Sequence, residues 1–177
     1  MTTCTVGLGW RPDPDAPLDL DLSATLVGDG GAVLAIVDRD SLTAPGLSHS
    51  GNDATGAGEG DDEAVTVRPA ELGAEVAAVV FSVTNRVAND FAGLREAYCR
   101  VREGRRETHR GDLADPAHPV LQSPREYDGR SSGFVYGRLE RDGEGWRFVP
   151  VEHRGNGDPR NAADMLAEIA ALSGQGG

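Results

Sequence analysis

The 177-residue chain predicts a mainly β fold, with one short helix in mid-chain and a second at the C-terminus. Three observations lead there. Short runs alternate apolar with polar residues, as strands with one buried face do. Turn formers such as Gly28-Asp29-Gly30-Gly31 and Asp142-Gly143 separate those runs. Apolar residues at helical spacing occur in only two places. A chain of this length can bury a sizeable core as one domain, 1–177, in which 158–177 supplies a helix and a flexible tail.

Taken in order, Thr3 to Leu8, Leu18 to Val27 and Ala32 to Val37 are the first strands. Leu42 to Asp62 lacks a period and is expected as loop. Ala64 to Arg68 alternates Val65 and Val67 and stops at Pro69. Glu75 to Thr84 is almost continuously apolar, the pattern of a central strand covered on both faces. Val87, Phe91 and Leu94 fall at helical spacing, so Asn85 to Leu94 is expected to hold the mid-chain helix. Arg95 to Glu103 places Ala97, Cys99 and Val101 on one face and Tyr98 and Arg100 on the other. The basic cluster Arg105, Arg106, His109 and Arg110 belongs to a solvated hairpin.

Asp115 to Asp128 carries three prolines and is expected as irregular loop. Ser131 to Glu140 and Gly145 to Glu152 form a hairpin whose Phe134, Tyr136, Trp146 and Phe148 add aromatic weight to the core. Pro159 to Leu172 is a helix: Asp158 can cap it, Pro159 suits its first position, and Met165, Leu166, Ile169 and Leu172 make one apolar stripe.

Two acidic stretches stand out. Asn52 to Glu63 reads NDATGAGEGDDE, with Asp53, Glu59, Asp61, Asp62 and Glu63 threaded through Gly56, Gly58 and Gly60 and no Lys or Arg among them. One reading is a flexible, solvated loop. The other is a hard-cation site. Crowded carboxylates raise one another's proton affinity unless a cation relieves them, and calcium takes six to eight oxygens from carboxylates, amides and main-chain carbonyls. Asn52 and Thr55 add further oxygens. The EF-hand spacing does not fit: counted from Asn52, ligand positions three and five hold Ala54 and Gly56, and position six, which needs glycine, holds Ala57. A calcium-binding β-helix would need tandem repeats, and the chain has one such segment. In the second stretch, Asp19 and Asp21 alternate with Leu18, Leu20 and Leu22, so both carboxylates share one face about 7 Å apart. That face is either plain solvent-facing surface or half of a cation site.

These motifs carry a resemblance. GLGW at Gly7 to Trp10, DLDLSA at Asp19 to Ala24, HSGND at His49 to Asp53 and TGAGEGDDE at Thr55 to Glu63 resemble the TerD family of tellurium-resistance and stress proteins. VVFSVT at Val79 to Thr84, GFVYGRLER at Gly133 to Arg141 and GEGWRFVPV at Gly143 to Val151 follow in the same order. The resemblance spans roughly residues 3 to 155. It implies a β-sandwich of two antiparallel sheets that binds calcium ions. Asp19, Asp21, Asp61, Asp62 and Glu63 are the leading ligands it implies, with Asn52, Asp53, Thr55 and the main-chain carbonyls of Gly58 and Gly60 in support. Two departures bear on that set. The family's GDN is Gly51-Asn52-Asp53 here, and an Asn pair after the third strand is replaced by Asp38, Arg39 and Asp40, where an arginine weakens a second ion site.

Composition limits the function. The net charge of −12, from 29 acidic and 17 basic residues, repels phosphates and anionic lipid, so neither nucleic acid nor direct membrane insertion is expected. No apolar run approaches a membrane span, and the N-terminus lacks a basic region followed by a hydrophobic one, which predicts a cytoplasmic protein. Cys4 and Cys99 are too few for a disulfide framework. The four histidines show no metalloprotease spacing, and neither a nucleophile elbow nor a P-loop is present. The expectation is a non-catalytic, cytoplasmic calcium-binding protein of a bacterial stress or tellurite-resistance system, working with protein partners. Two alternatives stay open: an interaction scaffold whose calcium is purely structural, and a metal-assisted hydrolase.

Overall fold

A computed structural model describes residues 1–15, 18–86, 91, 94–115, 117, 133–155 and 158–173. Eleven strands occur in them: β1 Cys4–Pro12, β2 Leu20–Gly28, β3 Val33–Val37, β4 Thr43–Ala44, β5 Leu47–His49, β6 Glu63–Val67, β7 Val76–Asn85, β8 Leu94–Glu103, β9 Arg106–Asp112, β10 Gly133–Asp142 and β11 Gly145–Gly155. One helix, α1, spans Ala162–Ser173. All pairings are antiparallel and build two sheets, ordered β4-β5-β6-β1-β8-β9 and β11-β10-β7-β2-β3. They pack face to face as a sandwich.

Alternation decides which side chains fill it. Val6 and Leu8 of β1, Leu20, Leu22 and Leu26 of β2, and Ala97, Cys99 and Val101 of β8 meet Phe81, Phe134 and Tyr136 in the middle, all buried. A fully buried side chain of this kind is worth about 1.5–3 kcal/mol. Phe148 lies 5.4 Å from Tyr136 and 6.3 Å from Phe81, ring centre to ring centre. Trp146, expected in the core, is instead half-buried at its margin beneath Arg141.

A second, smaller core lies on the outer face of the five-stranded sheet, where Ala162, Met165 and Ile169 of α1 cover Val27, Val80 and Val135. This layer explains the unbroken apolar run of β7, which is central, paired on both edges and covered on both faces. Every residue of β2 is buried as well: Val27 lies under this layer, and Asp21, near the start of the strand on the same outward face, is covered too.

Local chemistry sets several boundaries. Asp142 pairs with Gly145, so the β10–β11 turn has Gly143 and Glu144 at its centre, one residue later than the Asp-Gly signal suggests. Gly143 takes φ +59°, as a tight hairpin with glycine first requires. The expected 42–62 loop contains β4 and β5, pairs of two and three residues too short to show a period, held by Leu47 and His49 turning inward. Asn85 ends β7 and Leu94 begins β8, so neither belongs to a helix. The rest of the expected mid-chain helix falls mostly at 87–90 and 92–93, outside the described residues. So do most of the proline-rich loop and the expected tail at 174–177.

Candidate functional site

The acidic glycine loop runs across the end of β1 and is fixed by its two ends. At the first, Asp53 Oδ1 accepts from the Thr55 N–H at 2.8 Å, the Thr55 hydroxyl at 2.8 Å and the Gly56 N–H at 3.1 Å. These donors, the Thr55 N–H foremost, hold the Asp53 carboxyl below its ordinary pKa. Gly56 takes φ +59°, and a Cβ there would lie 2.6 Å from the Trp10 carbonyl oxygen, so only glycine fits.

At the second end, Asp61 and Asp62 part company. Asp61 lies on the outer face of the six-stranded sheet, where Arg100 Nε and Arg102 Nη2 each donate to it at 2.7 Å and the Tyr98 hydroxyl at 3.2 Å. It occupies the space that Gly7 leaves: a Cβ on Gly7 would sit 2.3 Å from the Asp61 carboxyl carbon. Tyr98 fills the corresponding gap over Gly9. Asp62 turns the other way. Its side chain is fully buried, Oδ2 accepts the Trp10 N–H at 2.9 Å, and Oδ1 has no hydrogen-bond partner. Burial pushes its pKa up.

Between these ends sits a guanidinium. Arg11 Nη1 donates to the Gly56 and Trp10 carbonyls and Nη2 to the Gly58 carbonyl, while Nη1 stands 3.7 Å from Asp62 Oδ2.

The second acidic centre lies at the start of β2. Arg39 Nη1 is 3.5 Å from Asp19 Oδ2 and 3.4 Å from Asp21 Oδ1, and Arg86 Nε is 3.3 Å from Asp21 Oδ2. The two arginines follow β3 and β7, the strands that flank β2. They leave the charge unevenly met. Asp19 Oδ1 and Asp21 Oδ2 are buried without a hydrogen bond. Burial, then the nearby Glu63 carboxylate, pushes the Asp21 carboxyl up to about 6 despite Arg39.

Glu63 joins the two regions. It is completely buried; Oε2 accepts the Leu22 N–H at 2.8 Å and Oε1 the Asp53 N–H at 3.2 Å. His49 Nε2 lies 3.5 Å from Oε2 and donates to the Leu22 carbonyl at 2.9 Å, while Nδ1 accepts the Gly51 N–H at 3.0 Å. Burial works against charging this ring, but Glu63 outweighs it and its pKa is raised. The Gly51 N–H aimed at Nδ1 places the hydrogen of the neutral ring on Nε2.

The residues implied as ligands are therefore spread over distinct positions. Asp19 and Asp21 stand together; Asp53, Asp62 and the Gly58 carbonyl lie around Arg11, with Thr55 bound to Asp53; Asp61 and Glu63 are bound by other groups. Asn52 is exposed, and Gly60 turns the chain at φ +91°. Among the described residues no three His, Cys, Asp or Glu side chains converge as a metal-holding group. The buried oxygens of Asp19, Asp21 and Asp62 that accept no hydrogen bond are nevertheless the kind of donor a hard cation takes. An ion at the start of β2 would be held by Asp19 and Asp21 with main-chain and water oxygens, and would supply the charge that Arg39 and Arg86 meet incompletely. Sequence reasoning missed Arg11, His49, Arg86, Arg100 and Arg102. Only the bare glycines of GLGW hinted that bulky groups must lie across β1.

Elsewhere, both thiols are buried: Cys4 is pushed up to about 12, and Cys99 is raised further, chiefly by desolvation. No helix among the described residues is long and apolar enough to cross a membrane.

A two-sheet sandwich whose first strand, acidic β2 and glycine loop are clasped by buried carboxylates defines a class of acidic β-sandwich proteins with a charge-lined loop. A model of the TerD domain matches residues 1–165, and the chain belongs to that family. It is 27% identical to the tellurium resistance protein TerZ of Serratia marcescens over 93% of this chain and 86% of that one. It is 29% identical to general stress protein 16U of Bacillus subtilis (strain 168), over 85% and 80% respectively. In fold it matches the crystal structure of a TerD homologue, SCO6318 from Streptomyces coelicolor A3(2), with TM-score 0.72 and 22% identity over 94% of this chain and 98% of that one.

Proposed function

We propose that this chain is a non-catalytic calcium-binding protein of a bacterial tellurium-resistance and general stress system, acting in the cytoplasm through protein partners. One observation carries the metal assignment: Asp19 Oδ1, just before β2, and Asp21 Oδ2, on it, are buried and accept no hydrogen bond, Asp21 Oδ2 meeting Arg86 as an ion pair at 3.3 Å, with a third carboxylate, Glu63, nearby. Carboxylates in that state call for a divalent cation. The names of its relatives, tellurium resistance protein and general stress protein, support the stress role.

A non-catalytic role is supported by how the reactive groups are used. The thiols are buried and held protonated, His49 is committed to Leu22, Gly51 and Glu63, and Asp61 is bound by two arginines. Direct chemistry on tellurite, an anion, is disfavoured by the acidic surface and the inert thiols. The role is therefore assigned to signalling or assembly.

The test is thermal unfolding of chelator-stripped protein titrated with calcium, with magnesium as control. A hundredfold excess over Kd stabilises by about 2.7 kcal/mol, which raises Tm by roughly 5–10 °C in a chain of this size. Asp21→Asn should lose most of that rise. A Tm indifferent to calcium discards the assignment.

A further inference from the structure

We propose that Arg11 is the glycine loop's own cation: its guanidinium takes the seat that a metal ion would take between Asp53 and Asp62, so the loop is closed without metal. The inference leans on the calcium reading only in taking a divalent ion as the alternative occupant. It concerns a different centre from Asp19 and Asp21.

The geometry is that of a coordinated cation. Three main-chain carbonyls, from Trp10, Gly56 and Gly58, turn their oxygens toward one guanidinium. Asp62, wholly buried, faces the same group at 3.7 Å. Asp53 lies close enough for Arg11 to help hold it ionised. Carbonyls at alternate positions of a glycine-rich turn plus a carboxylate are the donor types that bind hard cations. Here their partner is covalently attached, permanently charged and planar, and its fork of N–H donors serves two carbonyls at once. Within Asn52 to Glu63 there is no basic residue, so the charge comes from β1, whose end lies directly under the loop.

Arg11 also fixes where the loop sits. Its neighbour Trp10 donates its N–H to Asp62 Oδ2, and Leu8 accepts the Asp62 N–H at 2.8 Å, so both sides of Asp62 are tied to β1. Removing the guanidinium leaves three carbonyls and a buried carboxylate with no cation, and a dissolved ion then has a vacated seat to enter.

Calcium stoichiometry by titration calorimetry, together with limited proteolysis, tests this on the full chain and on Arg11→Met. The variant should bind one more calcium per chain than the unaltered protein. Without calcium its cleavage between residues 53 and 62 should be about tenfold faster, and calcium should restore protection. Equal stoichiometry and equal cleavage overturn the proposal. Should Arg11→Met fail to fold even in calcium, Asp62→Asn in the otherwise unaltered chain decides: unchanged stoichiometry is expected, and loss of one ion overturns it. An unaltered chain that binds no calcium beside an Arg11→Met that binds one defeats the Asp19–Asp21 reading and keeps this one. One ion in both, lost with Asp21→Asn and with cleavage unchanged, does the reverse.

Discussion

The start of β2 and the loop from Asn52 to Asp62 are built from the same side chains and answered by the same kind of partner, yet they hold their charge differently. In the loop, Asp53 is wrapped by three local donors and Arg11 is gripped by carbonyls on several sides. At the start of β2, Arg39 and Arg86 reach in from the ends of the neighbouring strands at 3.3–3.5 Å, and two buried carboxylate oxygens, Asp19 Oδ1 and Asp21 Oδ2, are left without a hydrogen bond. The Asp53 carboxyl is held low while the Asp21 carboxyl rises to about 6. Backbone donors supplied within a few residues can follow a carboxylate into a turn. Guanidiniums on long stems fall short when the carboxylate is locked into a strand buried on both faces.

The contrast breaks most completely at the residue that joins the regions. Glu63→Ala strands the Leu22 and Asp53 N–H groups and His49 in the interior, and should cost about 3–5 kcal/mol in denaturant unfolding. Glu63→Gln keeps an acceptor and should lose less. Next comes the loop's own geometry. Gly56→Ala forces a side chain into positive φ against the Trp10 carbonyl, and should cost about 2–4 kcal/mol. A loss below about 0.5 kcal/mol would show that the loop is not held as described.

The β2 centre is sharpened by pH. Asp21 faces Asp19 just before its own strand, Glu63 from β6, Arg39 after β3 and Arg86 after β7. Its folded pKa of about 6 exceeds the ordinary 3.8, so its contribution to stability is complete below about pH 4 and lost as pH rises through 6. Calcium-free protein should therefore lose on the order of 2 kcal/mol from this group across that window. Asp21→Asn should flatten the profile, as followed by Tm against pH. The smallest effect is expected at Asn52, whose exposed side chain leaves Asn52→Ala within about 0.5 kcal/mol of the unaltered protein.

Much of the scaffold was legible in the residues. The alternation of β8 and the unbroken run of β7 state which faces are covered, and the Asp-Gly pair announces the β10–β11 hairpin to within one residue. The acidic segments were legible as places of concentrated charge. Their partners were not, because Arg11 lies 45 residues from Gly56 and Arg86 lies beyond the end of a different strand. The alternation of Asp19 and Asp21 gives a shared face but cannot say that α1 and its approach cover the same sheet. Asp61 and Asp62, adjacent and chemically identical, diverge only because Gly7 offers one of them a place to lie.

Trp10 gives that arrangement a voice of its own. Its indole is almost wholly buried, donates from Nε1 to the Leu18 carbonyl beside Asp19, and rests against Gly56 at the heart of the loop. One fluorophore thus touches both acidic regions, while Trp146 lies at the edge of the core near the β10–β11 hairpin turn. Its emission colour and lifetime register any change of charge or packing at either region, so the fold carries a built-in optical reporter that needs no label.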